Sequence, residues 1–321
     1  MASFVPRNNS DTSCRIMVRD GNMGGIMKRI VALCLIVLVS LSVSAVQAEI
    51  KIGMLAQRGP ETALKEWEGL ASYLSDQVGD KVTIVPLSFT DFLDFCDREP
   101  TAFIFTNPWF YVRAKVLKKA KALVTVKYQT SGDKMCGVIF TRKDSGINSL
   151  ADIRGKVLMC PKLSSPGGWL FQKGEIVKAG ITPEKDLAKL IETARESHDE
   201  VVFAVLDKKV DVGTVRNNIL ETMQRESKIN MQDFLVLNEI KHPEVSEACS
   251  TPLYPDWPVA ALGKTPPVVA DKMKQALLSV PPGHPALEKA RRIDRFVEAL
   301  DYGPMEELCR LLKVEPFRRM Q

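Results

Sequence analysis

Histidine is nearly absent: His198, His242 and His284 are the only three in 321 residues, and they stand far apart. Cysteine offers no metal site either. Seven occur and none forms a CxxC pair, so the ligand spacing that zinc or a redox dithiol requires is missing, and no metal or cofactor is expected. Beyond residue 48 the count is odd (Cys96, Cys136, Cys160, Cys249 and Cys309), which leaves at least one thiol unpaired and excludes a scaffold built on disulfides. GxSxG, Walker and GxGxxG signatures are lacking, and the "SSPGG" turn has no lysine of the kind a nucleotide loop needs. A strong charge of one sign is lacking too. Of the formal +5, residues 1–48 carry +3 from five basic and two acidic side chains, which leaves +2 for the rest and gives no basis for a nucleic-acid partner.

The composition is that of a globular protein, 45% hydrophobic and 26% charged, and the length favours two domains over one. The first 48 residues read as a leader. "MKR" at residues 27–29 is a basic start, "IVALCLIVLVSLSVSAV" at residues 30–46 an apolar core, and "VQA" a small-residue cleavage signal. A signal peptide with its core at residues 27–48, cleaved after Ala48, is expected to export the chain to the periplasm. An uncleaved anchor is the alternative, against which the run is short and dotted with serine.

From residue 49 strands alternate with helices. "IKIGMLA", "KVTIVPL", "TAFIF" and "KALVTVKY" read as strands, separated by helical stretches of which "ETALKEWEGLASYLSDQVG" is the longest. The alternation restarts at "CGVIFTRK" and continues through "KVLMC", "AKLIET", "VDVGTV" and "FLVLNEI". After "YPDWPVAALGK" three helices are expected, "PPVVADKMKQALLSV", "PALEKARRIDRFVEAL" and "GPMEELCRLLKV". This is an α/β pattern with mostly parallel sheets in two lobes. Lobe 1 is residues 49–133 plus 255–321, with the C-terminal helices, and lobe 2 is residues 134–254. The chain crosses twice, near "TSGDKMCG" and "ACSTPLYPDW". Cys136 and Cys249 flank those crossovers and are the pair best placed for a disulfide, which would be incidental to the fold.

Ligands of open α/β sheets collect outside the carboxyl ends of the strands. The junctions there hold Arg58 and Gly59, then Thr106 and Asn107, then Ser164, Ser165, Gly167 and Gly168, then Ser197 and His198, then Arg216 and Asn217. Several open a helix, where unpaired N–H groups and the macrodipole favour an anion. Two arginines add charges that fork onto oxyanion oxygens. Each residue has a plainer use: Asn107, Ser165 and Ser197 suit helix caps, the glycines suit a tight turn, and the arginines suit surface pairs. Trp67 and Trp109 fit a core, while Tyr254 and Trp257 fit hinge packing or a pocket wall.

"AQRGPETALKEWEGLASYLS", "FTNPWFYV", "SSPGGWLFQ", "SHDEVVFAVLDKKVDVGTVRNNILE" and "LYPDWPVAAL" resemble the exported solute-binding proteins of phosphate, phosphite and phosphonate ABC importers. They resemble more closely the periplasmic tetrathionate-sensor branch that precedes a histidine kinase. The resemblance covers about residues 50–315. It implies a type II periplasmic-binding fold, with two α/β lobes joined by two crossovers acting as a hinge and a ligand cleft between them. It also implies that the serine–glycine turn is an oxyanion cradle, that His198 is the family's helix-start histidine, and that Thr106, Asn107 and Tyr111 form the contact loop of the first lobe. This chain departs from the family in reading "LSSPGG" at the cradle and in placing Arg216 where an acid can meet a ligand amine. A ligand with a second anionic end or extra oxygens is favoured.

The expected function is capture of a small oxyanion by a monomeric, non-enzymatic binding protein that serves an ABC permease and ATPase. The alternative is a stand-alone sensor presenting a tetrathionate-like oxyanion to a separate membrane histidine kinase. A hydrolase or transferase using His198 as base is the reading from another class.

Overall fold

The computed structural model describes residues 49–56, 59–290 and 292–319. The expected leader with its cleavage point, and Arg58, lie outside the described residues. Among the described residues no helix is long and apolar enough to cross a membrane.

The chain begins with β1 (Glu49–Leu55), α1 (Pro60–Val78), β2 (Lys81–Leu87), α2 (Phe92–Arg98), β3 (Phe103–Phe105), α3 (Pro108–Lys118) and β4 (Lys121–Tyr128). It continues through β5 (Lys134–Met135), β6 (Gly137–Arg142), β7 (Val157–Cys160), α4 (Phe171–Lys178), α5 (Pro183–Asp186), β8 (Lys189–Glu192), α6 (His198–Leu206), β9 (Val212–Arg216), α7 (Ile219–Arg225) and β10 (Phe234–Leu237). It closes with β11 (Tyr254–Pro255), β12 (Pro258–Ala261), α8 (Pro267–Leu278), β13 (Ile293–Glu298) and α9 (Gly303–Leu311).

Two sheets result, a six-stranded one ordered β13-β4-β12-β3-β1-β2 and a five-stranded one ordered β10-β6-β9-β7-β8. A two-stranded ribbon of β5 and β11 lies where the chain passes between them, with Tyr254 opposite Met135 and Pro255 opposite Lys134. Local sequence explains the elements. In α1 the residues Ala63, Trp67, Leu70, Leu74 and Val78 recur at helical spacing and are all buried. Pro60 starts the helix and Gly79, at φ 72°, ends it in the left-handed region. Burying each large side chain of that stripe contributes roughly 1.5–3 kcal/mol before entropy is counted.

The second sheet is covered on both faces. Val138, Phe140, Val201, Val202 and Val205 form a core under α6, while Ile139, Leu158, Phe171 and Ile176 on the other face join the main core. Helix α9 packs against α3 of the first lobe and α4 of the second. Its Leu308 comes so near Gly174 that a Cβ there would lie 2.5 Å from Leu308 Cδ1.

Two expectations are corrected. The sheets are mixed rather than mostly parallel: in the first, β12 returns from the second lobe and inserts between β4 and β3, antiparallel to both, and in the second β6 lies antiparallel to β9 and β10. The stretch "PALEKARRIDRFVEAL" is not a helix: β13 lies within it, paired antiparallel to β4. Cys136 and Cys249 are joined by a disulfide, and Cys96, Cys160 and Cys309 are free and buried.

Candidate functional site

Strands β9, β7 and β8 run parallel, so their carboxyl ends lie along one edge of the second sheet. Strands β2, β1 and β3 do the same for the first sheet. Between the lobes lies a cavity of about 740 Å³, lined by Asn107, Ser165, Gly167, Gly168, His198, Arg216, Asn217 and Trp257 among others. A second cavity of about 370 Å³ shares Asn107, Ser165 and His198 with it and adds Phe89, Ser164 and Arg195.

The turn from β7 into α4 is held from behind. Ser165 caps it, its Oγ accepting the Gly168 N–H at 3.1 Å, and its carbonyl accepts from both Trp169 and Leu170. Gln172 Nε2 donates to the Gly167 carbonyl at 2.7 Å, and Thr214 Oγ1 donates to the Gly168 carbonyl at 2.7 Å. With those carbonyls bound inward, the Gly167 N–H is one of the donors that a helix start leaves without an internal acceptor. The Ser165 hydroxyl accepts one bond and keeps its own proton to donate. Gly168 is required by space, since a Cβ there would meet Pro161 Cγ at 2.4 Å, and a Cβ on Gly167 would crowd Arg216 Cβ at 3.1 Å.

His198 is the first residue of α6, which Ser197 caps through the Glu200 N–H. Its Nδ1 accepts the Arg216 backbone N–H at 3.4 Å. That assigns the ring proton to Nε2, a donor available to a ligand. Burial, with the nearby Arg216 charge, lowers its pKa to about 3, so the ring is neutral. Thr193 links the two junctions, donating to the Pro161 carbonyl and accepting from the Ser197 N–H.

Arg216 ends β9. Its guanidinium reaches Ser131 Oγ at 3.5 Å and makes no ion pair among the described residues. Asn217 is fully buried, and its Oδ1 accepts the Cys136 N–H at 3.3 Å. Its Nδ2 is buried with no partner, and the residue lines the cleft. An unpaired buried donor costs about 1–3 kcal/mol, a cost that an acceptor entering the cleft removes. Of the other cations lining the cleft, Lys228 is already committed to Asp199 and Glu226.

The structure therefore gathers Asn107, Ser165, Gly167, Gly168, His198, Arg216 and Asn217 at one cavity, and Ser164 at its neighbour. Asn107 also caps α3, its Oδ1 accepting the Phe110 N–H at 3.0 Å, so only its amide nitrogen can serve a ligand. Thr106 is fully buried and lines neither cavity, although its Oγ1 has no partner. Gly59 sits at the start of α1, away from both. Tyr111 is not a cleft residue. Helical spacing turns it into the first lobe's core, where its hydroxyl accepts the Ala122 N–H at 3.1 Å and its ring meets Tyr302. Missed by the sequence reading were Gln172 and Thr214, which hold the turn, and Asp256, a fully buried acid. A glutamine in "WLFQ" and a threonine in "VGTV" were the only signals.

The profile of the family described as the periplasmic substrate-binding protein of a phosphonate ABC transporter matches residues 52–302. The chain belongs to that family. Its members are binding proteins rather than enzymes, which sets aside the reading of His198 as a catalytic base. The tetrathionate sensor histidine kinase TtrS of Salmonella typhimurium is 31% identical over 235 residues, which is 72% of this chain and 39% of that protein; the chain spans about two fifths of its length. PhnD1 of Prochlorococcus marinus, solved with methylphosphonate, shares the fold at a TM-score of 0.61 and 17% identity, covering 83% of this chain and 98% of that one. XAC2383 of Xanthomonas citri, solved with ATP, does so at 0.64 and 18%, covering 82% and 95%. The fold of this family member is the type II periplasmic-binding fold.

Proposed function

We propose that this chain captures a small oxyanion, phosphonate- or phosphite-like or a sulfur oxyanion, as a monomer in the periplasm and delivers it to an ABC importer. The observation that carries the reading is the set of donor-bearing residues lining one cavity: Asn217, whose Nδ2 has no partner, His198 with its Nε2 proton, Gly167 with its N–H, and Arg216, whose guanidinium is bound only to the Ser131 hydroxyl. Neutral donors and one cation favour an anion rich in oxygen over an amine. Lobe 1, residues 49–133 with 255–321, and lobe 2, residues 134–254, close over it about the β5–β11 ribbon.

The 31% identity to a tetrathionate sensor supports a second reading, in which the loaded protein is presented to a separate membrane histidine kinase. A thermal-shift screen of phosphate, phosphite, phosphonates, sulfate, thiosulfate and tetrathionate tests the shared part. A specific ligand at a hundredfold excess over Kd stabilises by roughly 2.7 kcal/mol. Stabilisation by none of these anions contradicts both readings. Uptake of the winning anion into vesicles carrying permease and ATPase supports the importer, whereas altered kinase phosphorylation supports the sensor.

A further inference from the structure

Asp256 lies on the second crossover, between β11 and β12, and is completely buried. Its Oδ1 accepts the Trp257 N–H at 2.8 Å, while its Oδ2 is buried with no hydrogen-bond partner. A buried carboxylate with half its acceptor capacity empty is costly unless a cation is near. Its backbone is fixed to both sides: the Asp256 N–H donates to the Asp133 carbonyl of the first crossover, and Tyr302 Oη donates to the Asp256 carbonyl. Arg216 approaches this stretch from the second lobe: its guanidinium reaches Ser131, two residues before Asp133, without forming a direct ion pair with Asp256. Arg216 and Trp257, the neighbour of Asp256, line one cavity.

We propose that Asp256 is the internal counter-charge of Arg216, so that a ligand oxyanion meets this guanidinium only in competition with Asp256. Asp256 thereby sets how much negative charge the cleft accepts. The inference rests on the oxyanion reading of the cleft.

The ionisable groups facing Asp256 are Arg216 from β9, Asp133 from the first crossover and Tyr302 from the start of α9. Burial raises its pKa to about 6, Arg216 lowers it and Asp133 raises it. An anion that neutralises Arg216 must therefore raise it further, and anion binding near pH 6 takes up a proton. Tyr302, pushed up by burial, stays neutral throughout.

The test is a carboxyl ¹³C NMR titration of aspartate-labelled whole protein, with the Asp256 signal assigned by Asp256→Asn, which keeps the acceptor for the Trp257 N–H. Without ligand, Arg216→Gln is expected to move the Asp256 midpoint upward. An unchanged midpoint overturns the inference whatever the cleft binds. Sulfate, whose charge is constant across this range, is the probe for competition. It is expected to raise the midpoint in wild type and not in Arg216→Gln. Sulfate that stabilises the protein while leaving the midpoint in place overturns the competition and leaves the oxyanion reading intact. An upward move in ligand-free Arg216→Gln, with no oxyanion stabilising the protein, keeps the charge pair and removes that reading.

Discussion

His198 Nδ1 is held by the Arg216 N–H, and its pKa of about 3 lies far below the ordinary histidine value. A group depressed in the folded state leaves stability intact above its unfolded pKa. That stability is lost as pH falls from about 6.5 toward 3, because only the unfolded chain takes the proton. Asp256 has the opposite sign: its raised pKa stabilises at low pH, and that contribution is lost as pH rises through about 6. The two nearly offset one another between about pH 4 and 6, so each is visible only in a variant. His198→Asn, which can still accept the Arg216 N–H, is expected to retain its melting temperature on acidification better than wild type. Parallel melting curves from pH 7 to pH 4 would contradict the buried neutral ring. Residues lining the cleft were legible at several junctions where a strand end meets a helix start, as at Ser165, His198 and Asn217, although Gly59 and Thr106, read in the same way, do not line it. Asp256 was not legible, because nothing in "YPDWP" marks its carboxyl as buried; the returning crossover buries it.

The serine–glycine turn shows what an element adds. Its position as a helix start was readable from Ser165 and Pro166, and its chemistry depends on contacts far along the chain, to Gln172 and Thr214. Gly168→Ala would drive a methyl into Pro161 and the capping Ser165 hydroxyl, 2.8 Å from the new Cβ. Overpacking of this kind costs about 1–3 kcal/mol, so urea denaturation is expected to show a lower midpoint with an unchanged slope, together with weaker anion binding. A variant as stable as wild type would mean that the turn is not close-packed. Strand β13 misled for a physical reason. Its register shifts between Ile293 and Arg295, and the two fully buried positions, Ile293 and Phe296, fall three apart. A bulge thus imitates helical spacing.

At the scale of the molecule, alternation of strands and helices gave the two lobes, but the order of strands within each sheet is set by the return of the chain through β11 and β12. The disulfide between Cys136 and Cys249 closes a separation of 113 residues. In the chain-entropy account such a bridge contributes roughly 2–4 kcal/mol. It also fixes Cys136, whose N–H and carbonyl hold Asn217 at the cleft. Crossovers and cleft wall are thus tied together, and the proposed oxyanion binds against that wall. Titration calorimetry with a mono-anion and a di-anion, on wild type, Ser165→Ala and Arg216→Ala, measures that directly. Ser165→Ala is expected to lose roughly 1.5–3 kcal/mol for every accepted oxyanion, the worth of one charge-assisted hydrogen bond. Arg216→Ala is expected to lose on the order of 2–5 kcal/mol, most for the di-anion. Both variants binding every anion as tightly as wild type would contradict oxyanion capture in this cleft.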